Sequence, residues 1–333
     1  MWSDLIFRVK TCTITCSFLV VFTFVNAQPA DTLRTTNDTA WIESMENRMS
    51  IKFSINNIYE KFQLVTSSNE IKLSPNIKTN GRVNLNYKSI ALAFQFSPNF
   101  LPGNGDEDTK GKTKSLELWT LLTHGKWFAN VSYSSVRGYF LENTRDYLSS
   151  QPGNTFLTFP DLCFVAYALS FGYRVNPNFS IKNILTQTER QLKSAGSIVP
   201  GINVRYFIID DKSTIQPGRA TQKSSNLELG IGAGYIYTFV FKKSFYLSGG
   251  IRPGMSYINT KLMTRFSAGN IETEQNNLAF RSDELGAIGY NSSNFFIGLD
   301  IAVSGENYQQ ENTSVTNYDT RLFYEFFTGF RFK

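Results

Sequence analysis

The chain is organised by a beat of two. Met49, Ile51, Phe53 and Ile55 alternate with Ser50, Lys52 and Ser54, and the same alternation runs through Ile90–Phe96, Trp127–Tyr133 and Val165–Tyr173. It returns over Phe245–Tyr257 and Phe295–Val303. A helix would repeat its apolar face every 3.6 residues; a period of two puts alternate side chains on opposite faces of a strand. Leu227–Phe239 follows the same rule, with Leu227, Leu229, Ile231, Ala233, Tyr235, Tyr237 and Phe239 on one parity. Its glycines, Gly230, Gly232 and Gly234, are spaced strictly by two and no helical pattern follows them. A dinucleotide loop needs its third glycine one residue later, at the start of a helix, so this stretch is a strand.

Connections alternate in length. Short turns are expected at Tyr87-Lys88, His124-Gly125-Lys126, Asn176-Pro177-Asn178, Lys242-Lys243 and Asn291-Ser292-Ser293, and long polar loops at Pro98–Lys112, Glu142–Phe159, Asp210–Ser225, Arg265–Asn277 and Gly305–Asn317. Short turns at one end and long loops at the other are the asymmetry of an outer-membrane barrel. In lipid every strand needs two neighbours, so the sheet must close. The fold class expected is all-β: a transmembrane antiparallel up-and-down β-barrel. About thirteen segments can be drawn. An even number is required, so twelve strands are expected, with fourteen as the alternative. The misfit lies between Phe179 and Ser225, where TERQLKSAGS breaks the alternation, or in a hairpin hidden at Asn56-Asn57.

The ends refine this picture. Arg8 and Lys10 precede an apolar stretch, Ile14 to Val25, and Val25-Asn26-Ala27 suits a signal peptidase. The expected division is a signal peptide over 1–27, a periplasmic lead over 28–47 and a barrel over 48–333, which places the chain in a bacterial outer membrane. The last segment puts Leu322, Tyr324, Phe326, Phe330 and Phe332 on one face. Spaced C-terminal aromatics resemble the signal read by the barrel-assembly machinery, although Lys333 follows the last Phe. The partners expected are therefore outer-membrane lipid and that machinery.

Composition excludes more than it adds. The net charge is +6, and +5 once Asp4, Arg8 and Lys10 leave with the signal, which does not imply nucleic acid. Cys12 and Cys16 fall in the signal; Cys163 then stands alone, without an internal disulfide or a thiolate cage. No cofactor is expected.

Three blocks carry a family resemblance: GKTKSLELWTLLTHGKWFANVSYSSVRGYFLEN at 111–143, LKSAGSIVPG at 192–201 and GYIYTFVFKKSFYLSGGIRPG at 234–254. In that order they resemble an uncharacterised family of exported Bacteroidetes proteins, a domain of unknown function, over about Thr39 to Lys333. The resemblance implies an outer-membrane-type barrel and supplies no substrate, cofactor or catalytic residue.

With the apolar parity facing lipid, the opposite parity lines the lumen. That gives Lys52, Glu117, Lys182, Arg205, Glu228, Arg252, Asp300, Glu325 and Arg331 as interior charges of mixed sign. They form either a structural ion-pair network or a lining that guides substrate. Gly230, Gly232 and Gly234 lie beside Gly250 and Gly254 on the next strand and leave an inward groove. Either Trp119 or the segment Leu192, Lys193, Ser194, Ala195, Gly196 and Ser197 packs there as a plug, or the glycines only permit curvature. His124, the sole histidine, falls in a turn. It would be the base of a serine hydrolase but reads more simply as a solvated residue. The acidic run Asp106, Glu107, Asp108 reads as solvated rather than calcium-binding. Porin-like passage or binding of small solutes is the leading expectation. A non-conducting surface-binding or envelope-structural barrel is the alternative, and a lipid hydrolase or acyltransferase the third.

Overall fold

The computed structural model of the chain describes residues 40–45, 47–76, 79–87, 90–96, 98, 100–148, 155–311 and 315–332. The expected signal peptide lies outside them, as does the lead up to residue 39. Strands β1 (Ile42–Ser44), β2 (Met49–Val65), β3 (Glu70–Ser74), β4 (Asn80–Tyr87) and β5 (Ile90–Phe96) come first. They are followed by α1 (Glu107–Lys110), β6 (Lys114–His124), β7 (Trp127–Leu141), α2 (Thr144–Tyr147) and β8 (Thr158–Tyr173). Then come α3 (Lys182–Leu185), β9 (Glu189–Gln191), β10 (Ala195–Asp211), β11 (Thr221–Phe241) and β12 (Phe245–Phe266). The chain finishes with β13 (Gly269–Asn291), β14 (Phe295–Gln309) and β15 (Thr316–Phe332).

Ten of these close an antiparallel barrel in the order β2-β3-β7-β8-β10-β11-β12-β13-β14-β15. The first and last members zip together along their length, from Met49 opposite Phe332 to Val65 opposite Thr316. The ring therefore has ten members rather than the twelve expected or the alternative fourteen, because β4, β5 and β6 pair outside it. The ring closes instead through the short β3, which pairs Phe62–Val65 on one side and Phe140–Leu141 on the other. Below β3, β4 and β5 extend from β2 while β6 extends from β7. No hairpin breaks β2 at Asn56-Asn57, and between Tyr173 and Ala195 the one strand is the short β9, outside the barrel sheet.

Two expected loops are shortened by strands that run into them. β10 and β11 run to Asp211 and from Thr221, and β12 and β13 run to Phe266 and from Gly269. β12 and β13 are 22 and 23 residues long, against the roughly 9–11 that cross a bilayer. Past the apolar band both faces are wet, so the alternation disappears while the hydrogen-bonded ladder continues.

Outward and inward sets follow the two parities. Leu229, Ile231, Tyr235, Phe239 and Phe241 of β11 are exposed on the outside, as are Leu247, Ile251 and Met255 of β12. Glu228, Thr238, Ser248 and Ser256 on the same strands are buried inside. Two apolar clusters fill the barrel. Near the end that carries Met49 and Phe332, the chain from Phe179 to Leu185 folds inward, and Phe179, Ile181 and Ile184 pack on Val199, Ile236, Tyr246 and Ala287. Toward the far end Val136, Tyr139, Leu162, Phe164 and Phe207 pack together with Phe62 and Leu73 at their edge.

The glycine groove is occupied by the sheet itself. A Cβ on Gly232 would lie 2.8 Å from the Pro253 carbonyl oxygen and 3.2 Å from Gly254 Cα, and one on Gly234 would strike Ile251 O and Arg252 Cα. These residues let β11 and β12 coil tightly; neither Trp119 nor the Leu192–Ser197 segment rests on them. Gly249, which has nothing within 4 Å of its would-be Cβ, is the control. Gly234→Val is expected to lose most of its folded, heat-modifiable form on gel electrophoresis while Gly249→Val keeps it. Equal yields would show that the close approach is unimportant.

Candidate functional site

A chamber of about 350 Å³ lies inside the barrel between the two apolar clusters. Its floor is the inward chain carrying Ile181, Ile184 and Leu185, and Trp119 and Leu121 of β6 with Phe128 of β7 form an apolar side. Asn130, Ser132, Ser170 and Asn203 add neutral polar groups.

Its roof is a belt of ion pairs drawn from strands all round the barrel. Arg205 donates to Glu60 and, at 2.9 Å, to Asp319, and faces Glu228 at 3.5 Å. Phe207 lies under the guanidinium, 4.4 Å from it to the ring centroid. Arg281 donates to Glu228 at 2.9 Å and to Asp283 at 2.8 Å, and Arg252 reaches Asp283 at 2.7 Å and Asn203 at 3.3 Å. Arg321 closes the belt by donating to Glu117 on β6. Glu228 is fully buried, and its two arginine neighbours are what make that burial tolerable. Carboxylates outnumber arginines here: Glu60, Glu117, Glu228, Asp283, Glu306 and Asp319 against Arg205, Arg252, Arg281 and Arg321. Among the described residues neither Glu306 Oε1 nor, deeper in the chamber, Asp300 Oδ1 has a hydrogen-bond partner.

The plug is built from the connection between β8 and β10. Its α3 and β9 are held by β1, whose Ile42–Ser44 pairs with Glu189–Gln191. Side chains then fasten it to the barrel wall. Lys52, ion-paired to Glu325 at 2.7 Å, donates to Gln187 Oε1 at 3.2 Å. Arg331 donates to Gln187 O and to Asn291 Oδ1, and Asn291 donates to Asn183 Oδ1 at 3.0 Å.

The charges expected to line the lumen separate accordingly. Glu117, Arg205, Glu228 and Arg252 belong to the belt; Lys52, Glu325 and Arg331 hold the plug; Asp300 faces the chamber. Lys182 is not on a barrel strand: it opens α3 and lies 3.6 Å from Glu189 within the plug. The expected plug is misplaced by a few residues. Leu192 N donates to Trp41 O, Lys193 lies over the Trp41 ring, Ser194 Oγ accepts from Val240 N on β11, and Ala195, Gly196 and Ser197 already belong to β10, so the inward chain is Phe179–Gln191 instead. His124 is exposed at the end of β6, away from the chamber lining. Cys163 is buried on β8. Glu60, Asp319 and Arg321 escaped the sequence reading although each keeps the parity of Lys52 or Glu325. Arg281, Asp283 and Glu306 lie where strands outrun a clear alternation.

Comparison with solved structures returns barrels with little sequence in common. The outer membrane protease OmpT of Escherichia coli is 9% identical, with 87% of this chain and 98% of that chain covered at a TM-score of 0.42. The attachment invasion locus protein Ail of Yersinia pestis is 10% identical, with 86% and 100% covered at 0.25. The translocator domain of the autotransporter NalP of Neisseria meningitidis is 8% identical, with 85% and 88% covered at 0.32. No curated protein matches the sequence. A family model does, over residues 36–332, and by that match the chain belongs to the family described as a domain of unknown function, DUF4421.

Proposed function

We propose that this is a bacterial outer-membrane barrel that binds a small solute in a closed chamber rather than conducting as an open pore. In this reading the segment ending at Ala27 exports the chain, and the aromatic face of β15 presents it to the assembly machinery. One observation carries the proposal: the barrel is apolar and aromatic outside but packed and ion-paired inside, with a plug below the chamber and a belt above it. An exposed apolar band of this extent is a liability in water and suits acyl chains. No helix among the described residues is long and apolar enough to cross a membrane. The chamber lining contains asparagine, serine and ion-paired carboxylates but not His124, so binding is a better fit than serine–histidine hydrolysis. Nothing in the lining calls for a cofactor.

Planar-bilayer reconstitution tests the reading. Purified barrel is expected to insert without sustained conductance steps; stable ohmic steps at low voltage would overturn the closed-chamber reading in favour of porin-like passage. A second reading, surface binding, draws on the β12–β13 hairpin, whose residues Gly269–Glu274 are exposed far beyond the apolar band. Shortening the hairpin tip would abolish surface binding while leaving chamber occupancy intact.

A further inference from the structure

Below β3, two strands each have only one hydrogen-bonded neighbour. Among the described residues, β5 is hydrogen-bonded only to β4, and β6 only to β7. Each of the ten ring strands is hydrogen-bonded to a neighbour on both sides. In a bilayer an unpaired edge strands N–H and C=O groups where no water can satisfy them, at several kcal/mol for each group. A break of this kind therefore marks a place where the wall gives way or admits a guest.

The break adjoins the chamber. β6 supplies Trp119 and Leu121 to the chamber's apolar side and Glu117 to its roof, so one unpaired edge is itself chamber wall. Both faces of β6 are accessible: Trp119 is 39% exposed on the inner parity and Leu118 57% on the outer. The other routes are filled, the floor by Ile181, Ile184 and Leu185, and the far end by Tyr139, Phe164 and Phe207. The contents of the chamber say what could use the opening. An apolar side of Trp119, Leu121, Phe128 and Leu185 takes an apolar body. The unpartnered oxygens of Asp300 and Glu306, both more than nine-tenths buried, accept hydrogen bonds when ionised and so favour a donating end. A volume of about 350 Å³ falls within the range of small-ligand sites.

We propose that the gap between β5 and β6 is a lateral portal, through which a small lipid-soluble molecule with an apolar body and a hydrogen-bond-donating end passes between bilayer and chamber. This rests on the membrane-spanning reading, and the test separates the two. A Trp119-only protein (Trp2→Phe, Trp41→Phe, Trp127→Phe) and a Trp127-only protein (Trp2→Phe, Trp41→Phe, Trp119→Phe) are placed in lipid vesicles. Trp127 is outward, stacked on Phe171, and is expected to be quenched by lipid brominated near the headgroup. Trp119 is expected to be quenched saturably by 4-bromobenzyl alcohol dissolved in the bilayer. Bridging Phe94→Cys and Thr120→Cys with a disulfide-containing bis-maleimide is expected to slow that quenching at least tenfold, reversibly on reduction of the linker. Trp119 left unquenched while Trp127 is quenched would overturn the portal, as would equal rates in bridged and reduced protein. Trp127 left unquenched by brominated lipid would instead overturn the membrane-spanning reading. If the linker fails to bridge the two cysteines, the comparison of Trp119 with Trp127 decides.

Discussion

Replacing Arg205 by methionine is expected to destabilise the barrel by about 3–5 kcal/mol, the range seen when one partner of a buried ion pair is removed. Methionine keeps nearly the length and volume of the arginine stem, so it leaves little cavity between Phe164 and Phe207. What it removes is the positive charge shared by Glu60, Asp319 and Glu228. Glu228 keeps Arg281 at 2.9 Å; Glu60 and Asp319 have no other ion pair among the described residues and become buried charges without a counter-ion. Urea unfolding of the reconstituted protein, followed by tryptophan fluorescence, measures the loss. Arg205→Met with Glu60→Met should recover part of it, because the most deeply orphaned carboxylate is then gone. Asp161→Asn provides the contrast. Its 2.6 Å pair with Arg137 has side chains 39% and 55% exposed, and exposed pairs contribute at most about 1 kcal/mol. If Arg205→Met moved the midpoint no more than Asp161→Asn, the belt would not be a structural network and its charges would be free to serve a solute.

This contrast also shows where the sequence was informative. Period two assigned Lys52, Glu228, Asp300 and Glu325 to the interior because a strand in lipid has no third choice of face. It could not say which charge meets which, since Arg205 finds Glu60 and Asp319 across a closed ring, over separations of 145 and 114 residues. The strand ends were unreadable for a different reason. At Asn270–Gln275 water lies on both sides, so nothing in the side chains records a ladder held by main-chain bonds alone. The plug was the hardest case. PNFSIKNILTQTERQ is too short and irregular for a periodicity to emerge, and its apolar residues Phe179, Ile181 and Ile184 acquire meaning only once a barrel surrounds them. β3, five residues long, could not be distinguished from loop, yet it is what closes the ring.

The plug can be removed without cutting the wall, and the consequence is expected to be large. Asn176 and Gly196 already touch, with Asn176 Nδ2 donating to Gly196 O at 2.7 Å, and Val175 N donates to Ile198 O at 3.1 Å. Replacing Pro177–Ser194 by the dipeptide Asn-Gly would therefore join β8 to β10 through a short turn, leaving intact their register from Gly172 opposite Gly201 to Leu162 opposite Asp211. The chamber would then lose its floor. Ser170→Cys, placed on the chamber wall in a Cys12→Ser, Cys16→Ser, Cys163→Ser background, reports the change through its alkylation by a membrane-impermeant maleimide. With the plug present the thiol reacts only when the floor opens; without it the reaction should accelerate roughly a hundredfold, as removing about 2.7 kcal/mol of opening free energy would give. The same deletion strips Lys52 and Arg331 of Gln187, so the shortened barrel should also unfold at lower urea. Equal alkylation rates in a deletion that does unfold earlier would mean that the floor is open in the intact protein. The chamber would then belong to an aqueous path, and the case for a sealed compartment supplied from the bilayer would fail at its base.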